Sequence, residues 1–392
     1  MNYSEKSLSF KIKKVLRYAM MYGIRRTYIK VMGQLHMKRT FEQLPPQRAI
    51  EGDRQIVGII GCGNYSFSNI AYFLDSTFGR VIGSCMDVDI NRAASMATFF
   101  KIPRFSDDAA TVINDENIKL IYIASNHSTH AEYAIQALNR GKHVYIEKPH
   151  VVSVDQLERL VAAMAKSTGK VFLGFNRPGS RFGRLMAQYL AAESGSGMYN
   201  WFVAGHDIPP DHWYFNPQEG GRVLGNLCHW TDFLLRIVPK NAFPITITPA
   251  RGKTSDSNIA VSFKFGDDTI AVITFSAKGH TFEGVKERFT AHKGNCLLSM
   301  DDFWNLTVEI VNEKHVFRNQ RRDHGHKSNI VAAVDAIRRD LPYDRQERID
   351  YIANTAWLFL KTKEALELDQ SITIQSFTET FRSDRGPVVS NV

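Results

Sequence analysis

Three groups of residues in this chain have the types and spacing for chemistry. His229 stands in the run GGRVLGNLCHWTDFL (220–234), with Asn226 three residues before it and Asp232 three after. Val223, Leu224, Leu227, Thr231 and Leu234 recur there at three- and four-residue steps, the spacing of a buried helix face. An imidazole in that run is either a core residue with its hydrogen bond satisfied or a group that exchanges a proton near neutral pH. Lys148 follows the apolar run HVYI (143–146) and precedes Pro149. It reads either as a surface lysine beside a turn or as a partly desolvated amine that meets a hydroxyl. The stretch GIIGCGNYS (58–66) carries Gly58, Gly61 and Gly63, with Ser66 where a third fingerprint glycine would stand.

A glycine turn between a buried strand and a helix lets backbone approach a pyrophosphate, and the helix start supplies unpaired N–H groups. The same pattern also occurs as a plain turn with no ligand, so the flanking elements matter. QIVGIIG (55–61) is a continuous apolar run, as in a strand buried on both faces. A helical segment follows at 64–78 and a strand at 80–87, ending in Asp87, 26 residues past Gly61. A carboxylate at that point accepts from ribose hydroxyls and favours NAD over its phosphorylated form; Asp89 is the competing acid.

Strand and helix keep alternating: helix 91–100, strand 119–125, helix 129–141, strand 143–149, helix 153–169 and strand 170–176. That order predicts a doubly wound parallel sheet, and it puts Lys148 at the carboxyl ends of the strands, where such sheets bind ligands. From 177 the character changes. Strand-like segments at 198–206, 242–252, 258–266, 268–279 and 305–312 follow one another, with helical pieces at 181–194, 222–237, 326–340 and 348–366. We expect an α/β chain of three parts: an extension and linker (1–54), a dinucleotide-binding domain (55–176), and an α+β domain (177–392). The last is built on a large, mainly antiparallel open sheet.

The formal charge of +9 is carried entirely by residues 1–50, which hold eleven Lys and Arg against Glu5 and Glu42. The rest is balanced, so the basic total is no signal for nucleic acid. Residues 10–36 read as one or two basic amphipathic helices, broken at Gly23. They suit either an anionic membrane surface or acidic partner, or packing on the chain's own body or a second subunit. EQLPPQRAIEGDR (42–54) reads as a linker. Four scattered cysteines give neither metal spacing nor a disulfide framework, and we expect no metal. No run approaches the ~20 apolar residues of a membrane span, and the first residues lack a secretory pattern. A cytoplasmic location is expected.

Taken together, these segments resemble the Gfo/Idh/MocA family of NAD(P)-dependent oxidoreductases over about residues 55–375. GIIGCGNYS, IASNHSTHAEYAIQAL (123–138), EKP (147–149), GFNR (174–177), GGRVLGNLCHWTDF and HGHKSNIVAAVDAI (324–337) match its motifs in order. The resemblance implies a Rossmann domain that binds NAD. Gly61, Gly63, Asn64, Tyr65 and Ser66 would lie at the pyrophosphate and Asp87 at the adenosine ribose. Ser125, Asn126, His127 and His130 would lie near the nicotinamide ribose, with Glu147 orienting that corner. Lys148 would sit at the nicotinamide and the substrate hydroxyl, and His229 would be the acid/base. Arg177, His206, His212, Trp213, Asn226 and Asp232 would bind substrate.

Many members carry an aspartate four residues before that histidine; here the position is Gly225. A subgroup found with surface-polysaccharide genes has a similar DHW…GGGR…GExCHFxD pattern, and this chain has Asn226 where its glutamate stands. The resemblance implies hydride transfer to or from a sugar or nucleotide sugar in cell-surface polysaccharide synthesis, by a homo-oligomer paired through its sheet. The alternatives are an eliminating or epimerising sugar enzyme that recycles NAD, and a non-catalytic cofactor and sugar binder.

Overall fold

The computed structural model describes residues 7–383 apart from 210, 241, 253–254 and 278–281. The first six residues of the basic leader and the end of the strand expected at 268–279 lie outside the described residues. The chain divides into two compact units: Val15–Ser180 with Gly325–Arg348, and Arg181–His324 with the chain from Ile349 onward and the segment before Val15.

The first unit is built on six parallel strands: β1 (Val57–Ile60), β2 (Ile82–Met86), β3 (Arg104–Ser106), β4 (Leu120–Ile123), β5 (His143–Ile146) and β6 (Val171–Leu173). Their order is β3-β2-β1-β4-β5-β6. Every residue of β1, β2 and β4 is buried, which explains why these strands read as unbroken apolar runs. The winding reverses between β1 and β4, and in such sheets the crevice above that reversal takes the ligand.

Helices α1 (Leu8–Tyr22), α2 (Ile24–His36), α3 (Tyr72–Phe78), α4 (Ile90–Phe100), α5 (Ala109–Ile113), α6 (His127–Asn139) and α7 (Val154–Lys166) come before β6. A π-helical stretch, Ser66–Ala71, leads into α3. Ser153 caps α7 by accepting from the Gln156 N–H, and Asp89 caps α4 from the Asn91 N–H.

Two segments that the contiguous division 55–176 leaves out pack with this sheet. One buried cluster takes Ile29 from α2 together with Phe67 and Phe100, and also Ile330, Ala333 and Val334 from α10 (His326–Arg338). Both segments carry apolar residues at helical spacing, and burying those faces is what recruits them. The stretch read as a linker is likewise tied down. Gln47 Oε1 accepts from the Phe105 N–H at 3.3 Å, and the Arg48 N–H donates to the Pro103 carbonyl at 2.9 Å.

The second unit is a nine-stranded sheet with strands β7 (Gly197–Ala204), β8 (Ile245–Gly252), β9 (Ser255–Lys264), β10 (Ile270–Ser276), β11 (Lys286–Lys293), β12 (Cys296–Asp301), β13 (Asn305–Ile310), β14 (Glu313–Arg318) and β15 (Ile372–Ile374). The order is β14-β13-β12-β11-β7-β10-β9-β8-β15, and only β7 and β10 run parallel. Strands β7 and β11 alternate buried and exposed residues, so one face is covered and the other open. Helices α8 (Arg181–Ala191), α9 (Cys228–Ile237), α11 (Arg345–Leu368) from Ile349 on, and α12 (Phe377–Ser383) complete this unit.

Candidate active site

Strand β1 ends at Gly61, whose φ is +93°. A Cβ there would lie 2.5 Å from the Ala124 carbonyl oxygen and 2.7 Å from Ser125 N, so only glycine lets the turn press against the loop after β4. Nothing lies within 4 Å of a Cβ placed on Gly63. That open backbone, with the helix starting at Asn64, is what a pyrophosphate requires. Ser66, the first residue of the π-helical stretch, is fully buried and its hydroxyl makes no hydrogen bond. The Asn64 amide oxygen accepts from Lys30 Nζ at 3.4 Å and from Ser68 Oγ at 3.1 Å.

Asp87 follows β2 and is buried. Its Oδ2 accepts from the Cys62 N–H at 2.8 Å and its Oδ1 from the Asp89 N–H at 3.0 Å. Two donors leave a carboxylate with lone pairs to spare for ribose hydroxyls. Asp89, the competing acid, is occupied at the cap of α4 and by Arg92, 3.3 Å away.

The loop after β4 holds Ser125 and Asn126, and Asn126 is exposed. His127 and His130 are buried. His130 lies with Nδ1 2.8 Å from the Pro149 carbonyl and Nε2 3.1 Å from the Ser125 carbonyl. A neutral imidazole carries one N–H, so His130 donates to one of these carbonyls and lies against the other, between the Ser125 loop and the Lys148–Pro149 peptide, which is cis. Burial holds its pKa down to about 4, despite the carbonyls that favour the cation.

Lys148 is half-buried, and beside it Glu147 is enclosed. The Glu147 carboxylate accepts from Tyr145 Oη at 3.2 Å, from the Lys148 N–H at 3.3 Å and from the Tyr65 hydroxyl. Burial pushes its pKa up, against the pull of the Lys148 ammonium. Tyr65 Oη also reaches His326 Nδ1 at 3.3 Å, and Asn329 Nδ2 donates to Tyr145 Oη at 2.9 Å. Asn176 and Arg177 are buried next to this network, with Asn176 Nδ2 3.4 Å from His326 Nε2. Sequence reasoning did not single out Tyr145, His326 or Asn329. The late motif HGHKSNIVAAVDAI was the signal for His326 and Asn329, but its return to Tyr145 and the β6 end is spatial information.

In the second unit His229 is neither fully enclosed nor freely exposed. Gly220 and Gly221, both at positive φ, turn the chain into a helix whose first part, Val223–Leu227, is π-helical. From Arg222 to Leu234 every residue is buried except Asn226 and His229, which are half-exposed and three apart. They share the one accessible strip of an otherwise enclosed helix. Asp232 does not. Expected at the substrate, it is fully buried, with Oδ2 accepting from Arg236 Nε at 3.0 Å and Oδ1 from Tyr351 Oη at 2.5 Å. Three residues past His229 on a helix, its side chain is drawn to Tyr351 on α11 and away from the strip that Asn226 and His229 share.

His206 is half-exposed and its carbonyl accepts from Arg222 at 2.9 Å. His212 Nδ1 accepts from the Tyr214 N–H at 3.3 Å, and Trp213 stacks edge-on to Tyr214. A cavity of about 250 Å³ opens at Gly221, lined among others by Asn216, Arg222, Arg251, Lys363 and Glu367. Among the described residues no group of three His, Cys, Asp or Glu side chains is placed to hold a metal.

A parallel sheet reversing at a glycine turn, with an acid after β2 and a lysine after β5, defines a dinucleotide-binding protein of the oxidoreductase type. Residues 56–175 match the family described as "Oxidoreductase family, NAD-binding Rossmann fold". Over 304 residues, 72% of this chain and 87% of the relative, the chain is 30% identical to the uncharacterized oxidoreductase YrbE of Bacillus subtilis. The chain therefore belongs to the Gfo/Idh/MocA family, and NAD is its cofactor class. Inositol 2-dehydrogenase 2 of Saccharopolyspora erythraea is 30% identical over 122 residues, 31% of this chain and 36% of that protein. The curated relatives that match the cofactor half are spanned over about a third of their length. The fold of a levoglucosan dehydrogenase solved with NADH and levoglucosan superposes with a TM-score of 0.67 at 14% identity, covering 81% of this chain and 98% of that one.

Proposed function

We propose that this chain is an NAD-dependent oxidoreductase that moves a hydride between the nicotinamide and a secondary alcohol carbon of a sugar. Bound NAD supplies the hydride acceptor; the protein supplies alignment and a place for the hydroxyl proton. Lys148 donates to the substrate oxygen and stabilises developing negative charge there. His229 takes the hydroxyl proton, and Asn226 beside it holds a sugar hydroxyl. The observation that carries this reading is the helix 222–234, enclosed everywhere except at Asn226 and His229. A helix that only needed a core histidine would not leave it on the one open strip.

A nucleotide-linked sugar is the favoured substrate. The cavity at Gly221 holds three cations, Arg222, Arg251 and Lys363, against Glu367, a charge balance that suits a diphosphate. His229 lies eight residues past Gly221 along the same helix, on the order of 12 Å at about 1.5 Å per residue, about the span from a diphosphate to the far carbons of a hexose. A role in cytoplasmic steps of cell-surface polysaccharide synthesis rests on the sequence resemblance of the 211–233 segment. The open sheet face supports a homo-oligomer.

The test is turnover and cofactor binding measured together. Lys148→Met and His229→Ala should each lower kcat by about 10²–10⁴-fold, the usual weight of one acid–base group, while NAD affinity stays within a few-fold. Loss of NAD binding in both would make them structural and end the proposal. A second reading is favoured by Gly225 and Asn226, which leave the segment before His229 without a carboxylate. It is elimination or epimerisation with recycled NAD, identified by product formation without net NADH. A parent protein that binds NAD and sugar but turns over neither would be a binder.

A further inference from the structure

The two N-terminal helices are amphipathic in the reverse sense for a protein surface. On α2 the inner face packs on the cofactor helix. Arg26 donates to Asn69 Oδ1 at 2.8 Å, and Gly33 lies against Asn64, Phe67 and Ser68. His36 reaches the Cys62 carbonyl at 2.7 Å and stacks on Phe67. The opposite face carries Ile24, Tyr28, Val31 and Leu35 at four-, three- and four-residue steps, all exposed, Ile24 by 82%. On α1, Met21 is buried, whereas Leu8, Ile12, Val15, Leu16 and Met20 form a second outward stripe, Met20 exposed by 63%.

These nine side chains are almost half of the nineteen large apolar residues that stand exposed among the described residues. Single exposed apolar residues are ordinary, but contiguous apolar stripes mark an interaction surface. The borders of the stripes are basic. Lys11, Lys13, Arg17 and Arg25 are exposed, and between Leu8 and His36 there are seven Lys and Arg and no acid.

We propose that the outer face of α1 and α2 docks on an anionic lipid surface, lying in the interface while the inner face of α2 stays on the cofactor domain. Charge selects the occupant. A second copy of this face would bring seven cations against seven with no carboxylate between them, and the chain beyond residue 50 is charge-balanced. Lipid phosphates answer the cations, and acyl chains answer the stripe. No helix among the described residues is long and apolar enough to cross a membrane, so the attachment is peripheral. The inference stands apart from the sugar reading.

The experiment is flotation of the full chain with phosphatidylcholine vesicles, with and without phosphatidylglycerol, at low and high salt. The parent should bind only the anionic vesicles and release in high salt. Leu16→Glu with Met20→Glu, Tyr28→Glu with Val31→Glu, and Lys11→Gln with Lys13→Gln should each weaken binding on the order of tenfold or more. All three sets change outward side chains, so thermal midpoint and NAD affinity should match the parent. The glutamine set keeps the test open should a glutamate set unfold. Absence of binding, or equal binding to neutral vesicles, overturns the proposal. So does a change in oligomer mass by light scattering with vesicle binding intact, which would assign the face to protein contact.

Discussion

At the scale of single residues, His229 and His130 stand in opposite surroundings. His229 is held at an opening, whereas His130 is enclosed between two carbonyls and kept neutral by burial. A histidine whose folded pKa lies near 4, below the ordinary 6.5, adds stability that is complete above pH 6.5 and lost as pH falls toward 4. The loss reaches on the order of 3 kcal/mol at the acid end. Urea midpoints at about pH 7 and pH 5 should show a drop in the parent and a smaller one in His130→Gln. Asp232 makes the complementary case. Asp232→Ala strips the acceptor from Tyr351 and Arg236, and should cost roughly 2 kcal/mol, at the low end for a broken buried pair because Arg236 keeps contact with water. The KM for the sugar should not move, which chemical denaturation combined with steady-state kinetics would establish.

At the scale of elements, glycine placement shows how tightly strand ends are fitted to side chains. A Cβ on Gly174, just past β6, would stand 2.7 Å from the Glu147 carboxyl carbon and both of its oxygens. Gly174→Ala must displace that carboxylate from Tyr145, Tyr65 and the Lys148 N–H. We expect about 1–3 kcal/mol of destabilisation and weaker NAD binding, read by thermal melts and calorimetric titration. What the sequence revealed at this scale follows from periodicity. Strands buried on both faces announced themselves as apolar runs, so β1, β2, β4, β5 and β6 were legible, as was the helix carrying His229. Strands β11, β12, β14 and β15 were not. KERFTAHK (286–293) buries only every second residue, and two of its four buried positions are the charged Glu287 and Lys293, so no apolar alternation is visible. The site followed the same rule. Residues on a turn or strand end, such as Gly61, Asp87 and Lys148, were legible because local order fixes them. The contribution of α10 was not, because His326 reaches Tyr65 across 261 positions of chain. Asp232 was misplaced because three residues along a helix brings two groups near in sequence while α11 decides where the carboxylate points.

At the scale of the whole molecule, the open face of the nine-stranded sheet is the surface on which the proposed homo-oligomer would form. Met198 pairs with Ile270 on β10 and with His292 on β11, and His292 in turn faces Leu297 on β12, so these residues form one row across four strands. Met198, Phe202, Ile270 and Leu297 are each at least 44% exposed, on the face that no helix of this unit is needed to cover. A flat sheet face with a central apolar row and a polar surround suits an isologous contact, which needs about 800 Å² from each partner. Phe202 sits beside Arg288 on β11, and Arg288 pairs with Asp301, 3.1 Å away, which supplies a charged rim. The proposed homo-oligomer therefore predicts that Phe202→Glu combined with Leu297→Glu yields monomers by light scattering. The buried face behind these positions is untouched, so near-ultraviolet circular dichroism should be unchanged. If the double variant keeps the mass of a parent oligomer, the subunits meet elsewhere. If the parent itself is a monomer at the highest accessible concentration, the apolar row has no partner of its own kind.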